Sequence, residues 1–313
     1  MSGNEEVEDK EKPAKEEKKY DLSLPTDNVG MFRDGLSDEA IKALISEYLQ
    51  KLIDESGIKG YEVFFLYDDS NTISTFHSNR IYQAAKDLDK KNNILMIIQS
   101  GGGNIEPAYL ISKTCKRLSK SKFNVVIPRK AKSAATLISL GANEIHMGLL
   151  SELGPIDPQF GGFPALGLSN AMEKIASMSE KYPKASDMFA KYLTDNINIQ
   201  HLGLFERINE SATQYASRLL EGKSFPEGHT AESLADHFTN HYKDHSFVID
   251  ADEATSLLGS KVVKEGTNEY DLGNTVYEFL EFLSFLFDFF KNKTMRYVGN
   301  IEEGLDLSDK KSN

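Results

Sequence analysis

Two short segments carry residue types that together can do acyl-transfer chemistry. The first, Ser100-Gly101-Gly102-Gly103-Asn104, follows directly on the apolar run 94–99 (ILMIIQ). Three consecutive glycines open backbone conformations closed to other residues, so amide N–H groups can turn toward a phosphate or an oxyanion beyond the strand. The glycines are contiguous, without a spaced G-x-G-x-x-G or a following Lys-Ser pair, which disfavours the phosphate use. The second segment, Lys130-Ala131-Lys132-Ser133-Ala134-Ala135-Thr136, sets a serine at the start of a short apolar helix stopped by Gly141. An alkoxide or tetrahedral oxyanion formed there would face unpaired amides at the positive end of the helix. The plain alternative is a serine that only caps its helix.

The surrounding pattern must place these segments together. A helix opens after Ser37, its N-cap, with Ile41, Leu44, Ile45, Tyr48, Leu49 and Leu52 at helical spacing, and closes at Gly57 and Gly60. Residues 61–67 (YEVFFLY), 94–99, 124–127 and 144–147 read as strands, and 78–88, 104–118 and 133–140 as helices, with Cys115 on a buried helix face. Alternation with short connections predicts a largely parallel sheet with helices packed on it. Both candidate segments then follow consecutive strands, at the carboxyl edge where such sheets carry their sites. Beyond Gly148 come a Gly/Pro-rich loop (151–167), helix from Ser169 or Asn170 to about Lys181, more helix over 185–220, a closing segment at 225–263 and a strand at 246–250.

The order of these segments, completed by Ser151-Glu-Leu-Gly-Pro-Ile-Asp-Pro158, resembles the serine dehydrogenase proteinase family. That family is related to signal peptide peptidase A and to the Clp protease proteolytic subunit. The resemblance covers roughly residues 21–258 and is specific over 94–159. It implies an α/β Clp/crotonase-like fold: a parallel β-sheet spiral of repeated ββα-type units with packed helices, here with a helical C-terminal extension. It also implies a serine endopeptidase, with Ser133 as nucleophile and the main-chain amides of Gly103, or alternatively Gly102, and Ala134 as the oxyanion hole. Relatives complete their sites across subunit contacts, so a homo-oligomer is expected, with a peptide or protein as substrate.

The general base is less directly written. The histidine that follows the Clp nucleophile by about two dozen residues is replaced here by Ile156 and Asp157. Signal peptide peptidase relatives use a lysine from the next helix, which points to Lys174, beside the stripe Leu168, Ala171, Met172, Ile175 and Met178. A lysine at the margin of a buried face loses hydration, and its pKa falls toward the value a general base needs. Lys181, Lys184, Lys132, His201 and Asp157 are its rivals. His237, His241 and His245 recur every four residues, a spacing a metal can use, but no carboxylate completes a ligand set. No metal and no cofactor is expected.

Composition narrows the remaining classes. With 36 basic and 48 acidic side chains among 313 residues the net charge is −12, which argues against nucleic acid as a partner. One cysteine forbids an internal disulfide or a multi-cysteine zinc site. Residues 1–20 are almost wholly charged and read as a disordered tail without a secretory signal, so a cytoplasmic protein is expected. The expected peptidase domain is 21–265. The extension, 266–313, holds the apolar helix 276–290, too short and too charged to span a bilayer. That helix reads as an oligomer or inter-domain contact in preference to a membrane-surface one. Two rival functions use the same fold: a crotonase-like acyl-CoA enzyme, which would need a basic cluster for the CoA phosphates, and a catalytically silent scaffold or binding protein.

Overall fold

The computed structural model describes residues 19–88, 91–160, 163–196 and 199–310. The expected disordered tail lies outside them except for Lys19 and Tyr20. The chain opens with α1 (Pro25–Arg33) and α2 (Asp38–Glu55), the latter capped by Ser37, whose side chain accepts from the Ala40 amide. Then follow β1 (Tyr61–Asp68), α3 (Thr75–Ala85), β2 (Asn93–Ser100), α4 (Ile105–Leu118), β3 (Phe123–Val126), β4 (Lys130–Ala131), α5 (Ala134–Leu140) and β5 (Glu144–His146). The short strands β6 (Glu152–Leu153), β7 (Gln159–Phe160) and β8 (Phe163–Pro164) lead to α6 (Ala165–Lys181), α7 (Ser186–Asn196), α8 (Ile199–Leu220), α9 (Ala231–Asp236) and α10 (Ala251–Leu258). β9 (Val263–Lys264), α11 (Asn268–Lys291), β10 (Lys293–Gly299) and β11 (Leu305–Asp309) complete it.

Among the described residues one nine-stranded sheet organises these elements, in the order β11-β10-β1-β2-β3-β5-β9, with β4 attached to β2 and β6. Every pairing from β1 through β9 in it is parallel; β10 is antiparallel to β1 and to β11. The period of two in each strand explains the layering. Phe64 and Leu66 of β1, with Ile94, Met96 and Ile98 of β2, enter a core shared with α3, α4, α5 and α8. Val63, Phe65 and Tyr67, with Leu95 and Ile97, enter a second core against α1, α2 and α11. Strands buried on both faces read as continuous apolar runs, which is why 61–67 and 94–99 were legible.

Three local expectations shift. The helix after β1 starts earlier than residue 78, because Ser74 and His77 form a capping box at its N-terminus. Residues 246–250 make no strand: Ile249 instead forms a single antiparallel bridge with Leu153 through N–H···O bonds of 2.9 and 3.1 Å. The segment 266–313, expected as an extension, contributes α11 and two strands to the same sheet. The helix spans Asn268–Lys291 and buries Leu272, Val276, Phe279, Leu280, Leu283, Leu286 and Phe287. Cys115 is fully buried, as its helical position predicted, and burial pushes its thiol pKa up.

Candidate active site

Ser133 joins β4 to α5 at φ 53° and ψ −116°, one of two non-glycine residues with positive φ among the described residues. A β-carbon in that region is strained, and such strain persists only where the surroundings impose it. Its hydroxyl makes no capping hydrogen bond, so the simple capping use is not the one adopted. Ser133 is 6% exposed and packs against the glycine run, because β2 and β4 are neighbours at Ser100 and Ala131. At Gly102, φ is 103° and a β-carbon would stand 2.7 Å from both the Ser133 β-carbon and the Lys132 carbonyl oxygen. At Gly103 it would stand 2.2 Å from the Ile73 amide nitrogen.

Neither amide expected as an oxyanion donor has a main-chain acceptor among the described residues. Ile73 bridges the glycine run by donating to the Gly102 carbonyl (2.8 Å) and accepting from the Asn104 amide (2.8 Å), which leaves the Gly103 N–H outside the ladder. Ala134 occupies the first position of α5, where an amide has no acceptor in its own helix.

A cleft of about 410 Å³ lies over these groups, lined by residues 69–72, residues 101–104, Ser133 and His245. Its outer wall is held from beneath. The Asp68 carboxylate accepts from the Ser70 (3.1 Å) and Asn71 (2.9 Å) amides, while Asp69 is fastened by Gln99 (3.0 Å) and Lys130 (3.2 Å). A larger hollow, about 840 Å³, lies beside Leu44, Tyr48 and Lys51, and no serine, cysteine or histidine lines it among the described residues.

His245 lies in the stretch between the π-helical turn His237–His241 and α10. Its Nδ1 is buried and faces Asp157 Oδ2 at 3.6 Å, an ion-pair separation just beyond a hydrogen bond. Asp157, 7% exposed, follows β6, and the Leu153–Ile249 bridge brings its segment alongside the one carrying His245. The structure therefore gathers Ser133, Gly102, Gly103, Ala134 and Asp157 from the sequence-derived candidates, and adds His245 as a cleft residue.

The other candidates lie elsewhere. Lys174 is exposed on α6, and Lys181 and Lys184 are exposed at and after its end; none lines the cleft. The side chain of His201 lies outside the described residues. His237 and His241 stack at 4.1 Å, with His237 also 3.2 Å from the Tyr242 hydroxyl, and burial lowers the His237 pKa. No group of three His, Cys, Asp or Glu among the described residues is placed to hold a metal.

A second Ser-His-Asp set, Ser74, His77 and Asp68, mimics a catalytic one. His77 Nε2 lies 3.1 Å from Asp68 Oδ2 and its Nδ1 lies 3.2 Å from the Ser74 hydroxyl. However, Nδ1 also accepts from the Ser74 amide (3.1 Å), and His77 is 1% exposed. Burial works against the Asp68 charge, yet hydrogen bonds from His77 and Asn71 hold its carboxyl below the usual carboxylate range. The set is a helix cap that anchors the 69–72 loop.

The profile of the ClpP-like SDH-type serine proteinase family matches residues 64–284. Two uncharacterized proteins of Methanocaldococcus jannaschii are similar to the chain. One is 36% identical over 97 residues, covering 31% of this chain and 34% of the relative. The other is 35% identical over 94 residues, covering 30% and 32%. The chain thus spans about a third of the length of each of these relatives.

Proposed function

The chain belongs to the family of ClpP-like SDH-type serine proteinases, with the α/β Clp/crotonase-like fold such membership entails, and from this we propose that it hydrolyses peptide bonds through an acyl-enzyme on Ser133. In this reading His245 is the general base, oriented by Asp157, and the amides of Gly103 and Ala134 hold the oxyanion. The observation that carries it is that Ser133, in a strained conformation, and His245 line one cleft while Asp157 faces Nδ1 of the imidazole.

With Nδ1 turned to Asp157, Nε2 is the nitrogen that receives the Ser133 proton as the hydroxyl oxygen attacks the substrate carbonyl. The carbonyl oxygen becomes an oxyanion between the two amides, each contributing on the order of 3 kcal/mol to the barrier reduction. The imidazolium then protonates the leaving amine. Water, deprotonated by the same imidazole, hydrolyses the ester and returns the serine. Contraction of the His245–Asp157 separation by roughly half an ångström makes a full hydrogen bond, as free enzymes commonly show looser catalytic contacts than their complexes.

Labelling with a fluorophosphonate probe tests the reading. The wild-type chain is expected to be labelled at Ser133 and the Ser133→Ala variant not at all. His245→Ala should label at least a hundredfold more slowly, and Lys174→Met at the wild-type rate. Persistent labelling of Ser133→Ala removes Ser133 as nucleophile; loss of labelling in Lys174→Met, with His245→Ala unaffected, replaces the histidine with a Ser-Lys dyad.

The proposal extends to self-association. Phe285 and Phe289 stack at 5.9 Å while 58% and 71% exposed on the outer side of α11. Exposed aromatic pairs of this kind favour burial against another surface.

A further inference from the structure

The side chain preceding the nucleophile touches the two segments that carry the proposed acid and base. Lys132 is 14% exposed, and its ammonium lies 2.8 Å from Glu152 Oε2, 3.0 Å from the Phe247 carbonyl oxygen and 3.3 Å from the Leu153 carbonyl oxygen. Glu152 and Leu153 form β6, four residues before Asp157 at the nearer end; Phe247 stands two residues after His245. The aliphatic stem passes where Gly154 leaves room: a β-carbon there would stand 2.5 Å from Lys132 Cδ. A lysine offers three N–H donors, and here three acceptors surround them, one charged and two main-chain.

We propose that Lys132 is a positioning residue that fixes His245 and Asp157 relative to Ser133. The proposal rests on His245 being the base. Its logic is geometric. Among the described residues the segment 242–249 is tied to the rest of the fold by the Ile249–Leu153 bridge at one end, by Tyr242 at the other, to Glu253 (2.6 Å) and His237 (3.2 Å), and by the Lys132 bond to Phe247, two residues from the histidine. Without the ammonium, the Phe247 carbonyl loses its donor and Glu152 keeps a half-buried charge without its partner, so the 3.6 Å approach of His245 to Asp157 is no longer enforced. With three acceptors occupied, Lys132 holds the base and is not itself the base.

The experiment uses the full chain and the rate of fluorophosphonate labelling in single and double variants. Lys132→Met is expected to slow labelling ten- to a hundredfold, and Lys132→Arg to recover part of that loss. The deciding measurement is the cycle with His245→Ala. If Lys132 acts through His245, the double variant is no slower than His245→Ala alone, because the histidine it positions is gone. Independent, multiplying losses overturn the proposal, as does a wild-type rate in Lys132→Met. A wild-type rate in His245→Ala is a different result, which defeats the base assignment itself. Should Lys132→Met fail to fold, Glu152→Gln keeps the lysine and removes only its carboxylate partner. The same cycle applied to it is expected to give a smaller, equally non-additive loss, and additive losses there also overturn the proposal.

Discussion

His245 Nδ1 lies 3.6 Å from Asp157 Oδ2, and both residues follow Ser133 in the chain, Asp157 first. In the Clp relatives the histidine follows the serine by about two dozen residues, and Asp157 occupies that stretch here. In the proposed triad the acid precedes the base in the chain, and the carboxylate stands where those relatives carry the histidine. Asp157→Asn is therefore expected to leave the chain folded and slow peptide hydrolysis by about 10⁴-fold, the loss seen for a triad whose imidazole has lost its orienting carboxylate. An unchanged rate would show that Asp157 does not serve the imidazole.

The three glycines predict three different outcomes. Gly101 has open space where a β-carbon would go, so Gly101→Ala should label at nearly the wild-type rate. Gly102→Ala forces a β-carbon onto Ser133 and should abolish labelling. Gly103→Ala collides with the Ile73 backbone and should lower stability as well, by about 1–3 kcal/mol. Urea melts beside labelling rates separate the three; equal behaviour of all three would refute the packing argument.

The C-terminal segment belongs to the folding unit. Phe287 is fully buried and edge-packed on Phe32 at 4.9 Å, so Phe287→Ala should cost about 3–5 kcal/mol. Truncation after residue 265 should leave an unfolded or aggregated product by circular dichroism. A truncated chain with a cooperative melt would show that 266–313 is dispensable.

Burial brings Lys223 down to about 7, helped by the neighbouring Lys116, although its ammonium donates to the Leu140 (2.5 Å) and Ala142 carbonyls at the end of α5. Between pH 7 and the unfolded value near 10.4 the unfolded chain binds more protons than the folded one, so this group's contribution to stability rises with pH. Urea midpoints at pH 7 and pH 9 should diverge more in the wild type than in Lys223→Met. Identical differences would mean that the lysine stays fully charged in the fold.

Self-association has a direct readout in light scattering. The wild-type chain is expected to exceed the mass of one copy, and Phe289→Glu to shift it toward a single chain. A wild-type monomer would exclude the assembly.

What could be read ahead of the structure was local. Residues 94–104 and 130–141 each carry their own strand, turn and helix signals, so the glycine run, Ser133 and their placement at one sheet edge were legible. His245 was not, because its stretch has no periodicity and the groups that hold that stretch, Asp157 at His245, Lys132 at Phe247 and Leu153 at Ile249, lie about a hundred residues away. Its spacing from His237 and His241 pointed instead to a helix face that ends before it: Tyr242 is already extended, at ψ 132°. Lys174 was favoured by an apolar stripe, and α6 leaves it in solvent. The strands β10 and β11 were missed for a similar reason, since pairing Val298 with Leu66 joins residues more than two hundred positions apart.

That last pairing also bears on biosynthesis. A ribosome makes β1 early, and the edge of β1 that β10 will cover stays unpaired until residues 293–299 have left the exit tunnel. Completion of the sheet is thus a late event, dominated by distant contacts and correspondingly slow. A growing chain therefore carries Ser133 and His245 well before the sheet beneath them is complete.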